Sequence, residues 1–152
     1  MVVIGVGNVF RSDDGFGPKV AQLVRTIVPE EVEVVECDGE AAGLLLAWEG
    51  ADLALVVDAV HSHSGAPGQI FRLELNPSET EVPSSVVSSH GTGPGDAVAL
   101  ALALGRLPGR LVLYGIEGVS FSSGESLTPA VEASVAVVAA RVVEESEWPT
   151  AR

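Results

Sequence analysis

The run Leu53-Ala54-Leu55-Val56-Val57 limits the fold more than any other part of the chain. Five consecutive apolar residues leave no polar face for water, so the segment reads as a strand buried on both sides. Val2-Val3-Ile4-Gly5-Val6 has the same character, and residues 32–37 and 110–116 read as further strands. Between them the apolar spacing changes to the helical period. Val20, Leu23, Val24, Ile27 and Val28 make one stripe that Pro29 closes. Residues 41–48, ended by Gly50, read as a short helix, and 96–104 as a helix rich in Ala and Leu. A last helix is expected from Thr128 as N-cap, with Pro129 at its first position, Glu132 in its first turn and Val131, Val135, Val138 and Val142 facing inward. Residues 69–75 alternate, as a half-exposed edge strand does. The connection after Val60 is too short for a helical crossover, so this strand is expected to run antiparallel. Strands alternating with helices mean an α/β chain: a three-layer α/β/α sandwich on a mostly parallel five-stranded sheet with one antiparallel edge strand.

The 152 residues suffice for one domain, expected over 1–146, with a frayed tail over 147–152 and fraying from about 144. A net charge of −13 argues against nucleic acid and anionic membranes as partners. The single cysteine, Cys37, rules out an internal disulfide and fits a reducing compartment. No basic stretch precedes an apolar run, and no run nears the roughly 20 residues of a membrane helix. A cytoplasmic protein is expected.

Three polar residues stand where such a sheet carries its site. Asp14 closes the loop Gly7-Asn8-Val9-Phe10-Arg11-Ser12-Asp13-Asp14 after the first strand, Asp58 follows the most apolar strand, and His90 lies in Ser88-Ser89-His90-Gly91 ahead of a helix. Ligands in open α/β sheets bind outside the carboxyl ends of the strands. A buried unpaired acid is costly, and two carboxylates with an imidazole are a plausible set of three metal ligands that leaves a position open for substrate. Taken singly, each has a plain structural role: Asp14 as a helix-entry group, Asp58 as a turn cap, His90 as a satisfied loop histidine. Asp13 or Ser12 could serve the helix entry equally well, which leaves one acid of the pair spare. His61 and His63 fit a solvated turn better than a supplementary metal site. Gly5-Val6-Gly7-Asn8 invites a dinucleotide reading, but the third glycine of that fingerprint is replaced by Phe10. No Gly-x-Ser-x-Gly elbow and no His-Glu-x-x-His pair is present, and Cys37 fits a small buried apolar group. The polar segments 80–89 and 119–124 lack periodicity and are expected to be mobile flaps beside the site.

The order of several short motifs is specific: Gly5-Val6-Gly7-Asn8 with Ser12-Asp13-Asp14-Gly15-Phe16-Gly17, Asp38-Gly39, Val57-Asp58-Ala59-Val60, Ala66-Pro67-Gly68, Ser89-His90, Tyr114-Gly115-Ile116-Glu117 and Leu127-Thr128-Pro129-Ala130-Val131-Glu132. Over nearly its full length the chain resembles the hydrogenase maturation proteases, endopeptidases that trim the large subunit of nickel–iron hydrogenases. The resemblance implies that Asp14, Asp58 and His90 are both metal-binding and catalytic. The metal it implies is divalent, nickel supplied by the substrate, with zinc or a similar ion fitting the same donors. It further implies a hydrogenase large-subunit precursor as partner and removal of its short C-terminal extension. Asp38 and Gly39 correspond to a loop linked to substrate recognition, here continued by Glu40-Ala41 where the family often has Gly and Thr. No separate nucleophile or general base is assigned. Two alternatives stand beside the endopeptidase: a non-catalytic nickel-sensing or assembly factor on the same fold, and a nucleotide-binding enzyme using the Gly5-Val6-Gly7 turn.

Overall fold

A computed structural model describes residues 1–62, 65–78 and 94–147. The elements run β1 (Val2–Val6), a 3-10 turn (Ser12–Gly15), α1 (Phe16–Arg25), β2 (Glu33–Cys37), α2 (Ala41–Trp48), β3 (Leu53–Val60), β4 (Ile70–Leu75), α3 (Pro94–Leu104), β5 (Arg110–Glu117), α4 (Pro129–Glu132) and α5 (Val135–Glu147). The sheet order is β2-β1-β3-β5-β4. All pairings are parallel except β4 with β5, which is antiparallel at the edge. The expected sandwich and its edge strand are therefore present.

Alternation along each strand sorts the core into two layers. Val3, Leu53, Leu55, Val57, Val112 and Ile116 face α1 and α5. Val2, Ile4, Val6, Ala54, Val56, Leu111 and Leu113 face α2 and α3. Asp58 continues the second series, two residues beyond Val56. Gly109 donates its N–H to the Ala51 carbonyl and Arg110 to that of Asp52, so the chain leaving α3 arrives at the amino-terminal edge of the sheet. An eleven-residue helix spans about 16 Å, which sets the other end of α3 towards the carboxyl edge.

Three expectations need correction. β3 does not stop at Val57 but runs to Val60, because β5 pairs with it over its whole length, Val60 against Glu117 included. Asp58 is thus inside the strand. The last helix is broken: α4 ends at Glu132, and a turn through Ala133 and Ser134 precedes α5. The Ser134 hydroxyl donates to the carbonyls of Gly68 and Ala130, a tertiary tie that fixes the break. The chain is helical to Glu147 rather than frayed from 144. Glu145 accepts hydrogen bonds from Arg72 and from the Tyr114 hydroxyl, which fastens the end of α5 to the sheet. Burial and then this bond push the Tyr114 phenol up to about 12. Residues 148–152 lie outside the described residues.

Glycines let α1 lie unusually close to the sheet. A Cβ on Gly17 would sit 2.3 Å from the Val6 carbonyl oxygen and 2.5 Å from that of Val57. Gly17→Ala is expected to cost about 2 kcal/mol through overpacking against rigid backbone. Urea unfolding would read it, and an unchanged midpoint would mean that α1 can stand off the sheet freely.

Candidate active site

The first loop is shaped by what cannot fit beside it. Gly7 has φ of +139°, and a Cβ there would lie 1.9 Å from the Asp14 carbonyl oxygen. Only a glycine lets the 3-10 turn fold back onto the end of β1. Asp14 then turns its carboxylate to the Asn8 N–H, which donates to Oδ2 at 2.9 Å. Gly5 serves the same approach further in, since its Cβ would meet the Gly17 carbonyl oxygen at 2.4 Å. The Gly5-Val6-Gly7 motif is thus accounted for by packing.

The two neighbouring acids of this turn have opposite surroundings. Asp13 is fully buried. It accepts the N–H groups of Val119 (2.8 Å), Ser120 (3.1 Å) and Thr128 (2.7 Å), and the Thr128 hydroxyl at 2.8 Å. Burial alone would raise its carboxyl, but these donors outweigh that and hold it below the ordinary carboxylate value. Asp14 has one such donor. Burial raises its carboxyl, opposed by the Asn8 N–H and the charge of Arg11. Asp58 is raised well above the ordinary value, first by burial and then by the charge of Asp14, with the Ala59 N–H working the other way. Asp14 and Asp58 are therefore an acid pair that repel each other, brought together from β3 and the first loop.

Asp38 is exposed past β2 and accepts the Glu40 N–H at 3.1 Å, closing a turn at Gly39, whose φ is +100°. His61 is exposed after β3, its ring stacked on Phe121 with centroids 5.6 Å apart. His90 and His63 lie outside the described residues, as does the loop 80–89. Among the described residues no group of three or more His, Cys, Asp or Glu is placed to hold a metal ion. Burial, then the Asp38 charge, push the Cys37 thiol up, the reverse of an activated nucleophile.

Two site-edge residues were missed by sequence reasoning. Asp13 was read as interchangeable with Ser12, yet it is the fastening of the whole first loop. Glu117 is 2% exposed at the end of β5 and accepts both the N–H (2.9 Å) and the hydroxyl of Ser62, holding the chain that leaves β3. Its signal was the one that marked Asp58, an acid ending an apolar run. The loop 119–124 is fastened rather than loose. Ser12 donates its N–H to the Gly124 carbonyl (2.7 Å), Gly124 to that of Phe10 (2.9 Å) and Asp13 to that of Ser120 (2.9 Å). Thr128, expected to cap a helix with its side chain, gives its hydroxyl to Asp13 instead.

The family model for hydrogenase maturation proteases matches residues 19–145. The chain belongs to the hydrogenase maturation protease family. Among its relatives is the hydrogenase 2 maturation protease of Escherichia coli (strain K12), 32% identical over 142 residues that make up 89% of this chain and 83% of the relative. The hydrogenase expression/formation protein HupD of Rhodobacter capsulatus is 30% identical over 148 residues, 95% of this chain and 70% of its own. In structure, the protease is similar to the hydrogenase maturating endopeptidase HybD from E. coli. The TM-score is 0.78 at 28% identity, covering 98% of this chain and 92% of HybD. The motifs that carried the resemblance have work in the fold of this protease. Gly68 of Ala66-Pro67-Gly68 packs on α4, where its added Cβ would lie 2.8 Å from the Ala130 carbonyl oxygen. Thr128 of Leu127-Thr128-Pro129 holds Asp13. Among the described residues no helix is long and apolar enough to cross a membrane.

Proposed function

We propose that this protease removes a C-terminal extension from a nickel-loaded hydrogenase large-subunit precursor, reading the nickel in that precursor through Asp14, Asp58 and His90. The observation that carries the proposal is the Asp14–Asp58 pair. Two carboxylates on separate elements, both raised above the ordinary value and repelling each other, are relieved by a divalent cation. Oxygen donors with one imidazole suit nickel or zinc. His90 is four residues ahead of Pro94, where α3 begins. Four residues reach at most about 14 Å. α3 packs on the sheet face that Asp58 shares, with its first turn towards the carboxyl edge, which supports His90 as the third ligand. The cation arrives as part of the substrate, and bound there it would polarise a nearby peptide carbonyl or activate water. The part of the protein itself is to hold two carboxylates in fixed positions: Asp14 through Asn8 and Asp13, Asp58 through the pairing of β3 with β5. Asp38 stands exposed past β2 and meets the substrate chain at the turn set by the buried Gly39. The reaction takes place in the cytoplasm, with no nucleic-acid or membrane partner.

The test is incubation of the wild-type protein with the precursor, nickel-loaded or nickel-free, followed by intact mass. Loss of a C-terminal peptide from the loaded form alone is expected. Binding of the loaded form without loss of mass would make the protein a nickel-sensing factor instead. Equal cleavage of both forms would end the metal-reading proposal.

A further inference from the structure

Phe10 is 62% exposed, the most exposed aromatic side chain among the described residues, yet its backbone is held on both sides. Its N–H donates to the Asn8 Oδ1 at 2.9 Å, and its carbonyl accepts the Gly124 N–H at 2.9 Å. The ring is therefore presented by a fixed loop. Asn8 links it to the acid pair, because the same residue gives its own N–H to Asp14. Two residues of chain span at most about 7 Å, which keeps the Phe10 backbone within that reach of Asn8, whose N–H touches Asp14. In an extended peptide, side chains on one side recur at a similar interval of about 7 Å. A substrate strand whose backbone passes the acid pair thus carries a side chain over the ring one or two residues away.

We propose that Phe10 is a specificity-determining contact that receives an apolar side chain of the substrate next to the scissile bond. The inference rests on the endopeptidase reading of the same site. Arg11 decides between an apolar and a cationic side chain. Its Nε donates to the Phe121 carbonyl at 3.2 Å, which ties a guanidinium to the loop that carries Phe10. A lysine or arginine of the substrate would meet that charge, whereas an apolar group covers the ring without it. Phe10 makes no hydrogen bond through its side chain and packs into no part of the core, so its contribution is to binding. Asp14 and Asp58 remain the groups at the reacting atoms.

The test compares Phe10→Ala, Phe10→Leu and wild type in steady-state cleavage of nickel-loaded precursor, with titration of the same precursor as an independent binding readout. Phe10→Ala is expected to raise KM about 10–30-fold with kcat unchanged. Phe10→Leu should recover most of the loss. Changing the apolar residues beside the scissile bond to Ser should weaken the wild type and add little to Phe10→Ala. A wild-type KM in Phe10→Ala, or a loss confined to kcat, would overturn the inference. So would a gain on placing Lys beside the scissile bond. If the wild type itself does not cleave, the endopeptidase reading falls separately, and equal affinity of wild type and Phe10→Ala in the titration then removes the ring contact as well. A lowered melting temperature in Phe10→Ala would shift the decision to the Ser-substituted precursor, where an unchanged wild-type KM would overturn the inference.

Discussion

An Asp58→Asn variant is expected to fold, to melt above the wild type at neutral pH in metal-free buffer, and to lose processing of nickel-loaded precursor by more than about 100-fold. The activity figure is a lower bound, since loss of a group that only supports a metal ligand already costs 10–100-fold. The stability gain follows from the direction of the shifts. Asp58 and Asp14 are raised in the folded protein, so the fold favours their protonated forms. Their contribution to stability is complete below the ordinary carboxylate value of 3.8 and is lost as pH rises through the folded values. At neutral pH the metal-free pair is a charge conflict, and a neutral amide removes it. His90→Ala should be equally inactive. Wild-type cleavage by either variant would remove the ligand assignment. An Asp58→Asn protein melting below wild type would show that the carboxylate is compensated by something other than a cation.

Asp13→Ala is expected to lower unfolding free energy by about 3–4 kcal/mol, the loss of several hydrogen bonds to one buried carboxylate. Three backbone N–H groups and the Thr128 hydroxyl lose their acceptor together, so the cost exceeds that of an ordinary polar truncation. The pH dependence has the opposite sign to that of its neighbour. Asp13 is held below the ordinary value, so its contribution is present above that range and is lost as pH falls through the folded value. Wild type should therefore lose stability on acidification below about pH 4 in a way that Asp13→Ala does not. Chemical denaturation of both proteins across that range measures it. Parallel curves would mean that Asp13 is replaceable as an anchor, with water taking over its donors.

The layered architecture was legible because it depends on local pattern. Leu53 to Val57 is apolar at every position and cannot be anything but internal, and the alternation of 69–75 marked the edge strand directly. Asp58 and Asp14 stood out because carboxylates beside buried runs demand a reason. What was illegible depends on partners far along the chain. The end of β3 was misread because a polar residue looks like a terminator, while pairing with β5 carries the strand past it. The break between α4 and α5 keeps Val131, Val138 and Val142 inward, so periodicity conceals it, and it is fixed by Ser134 reaching Gly68. Serine-rich 119–124 looked loose because its hydrogen bonds lie on Asp13, Ser12 and Phe10. Which of two adjacent aspartates is the anchor and which is the spare acid cannot be told from either alone. The decision belongs to Thr128.

That bond between Asp13 and Thr128 joins positions 115 residues apart. A growing chain leaving the ribosome therefore carries the first loop, Asp14 included, for most of its synthesis with no anchor to hold it. Only when the segment around Thr128 has emerged can Asp13 find its donors and Asp14 take its place beside Asp58. Contacts of such separation are slow to form, because the entropy of closing the loop precedes any return from the contact. The anchor of the first loop is thus among the last contacts a growing chain can make, just ahead of those of α4 and α5 with the sheet.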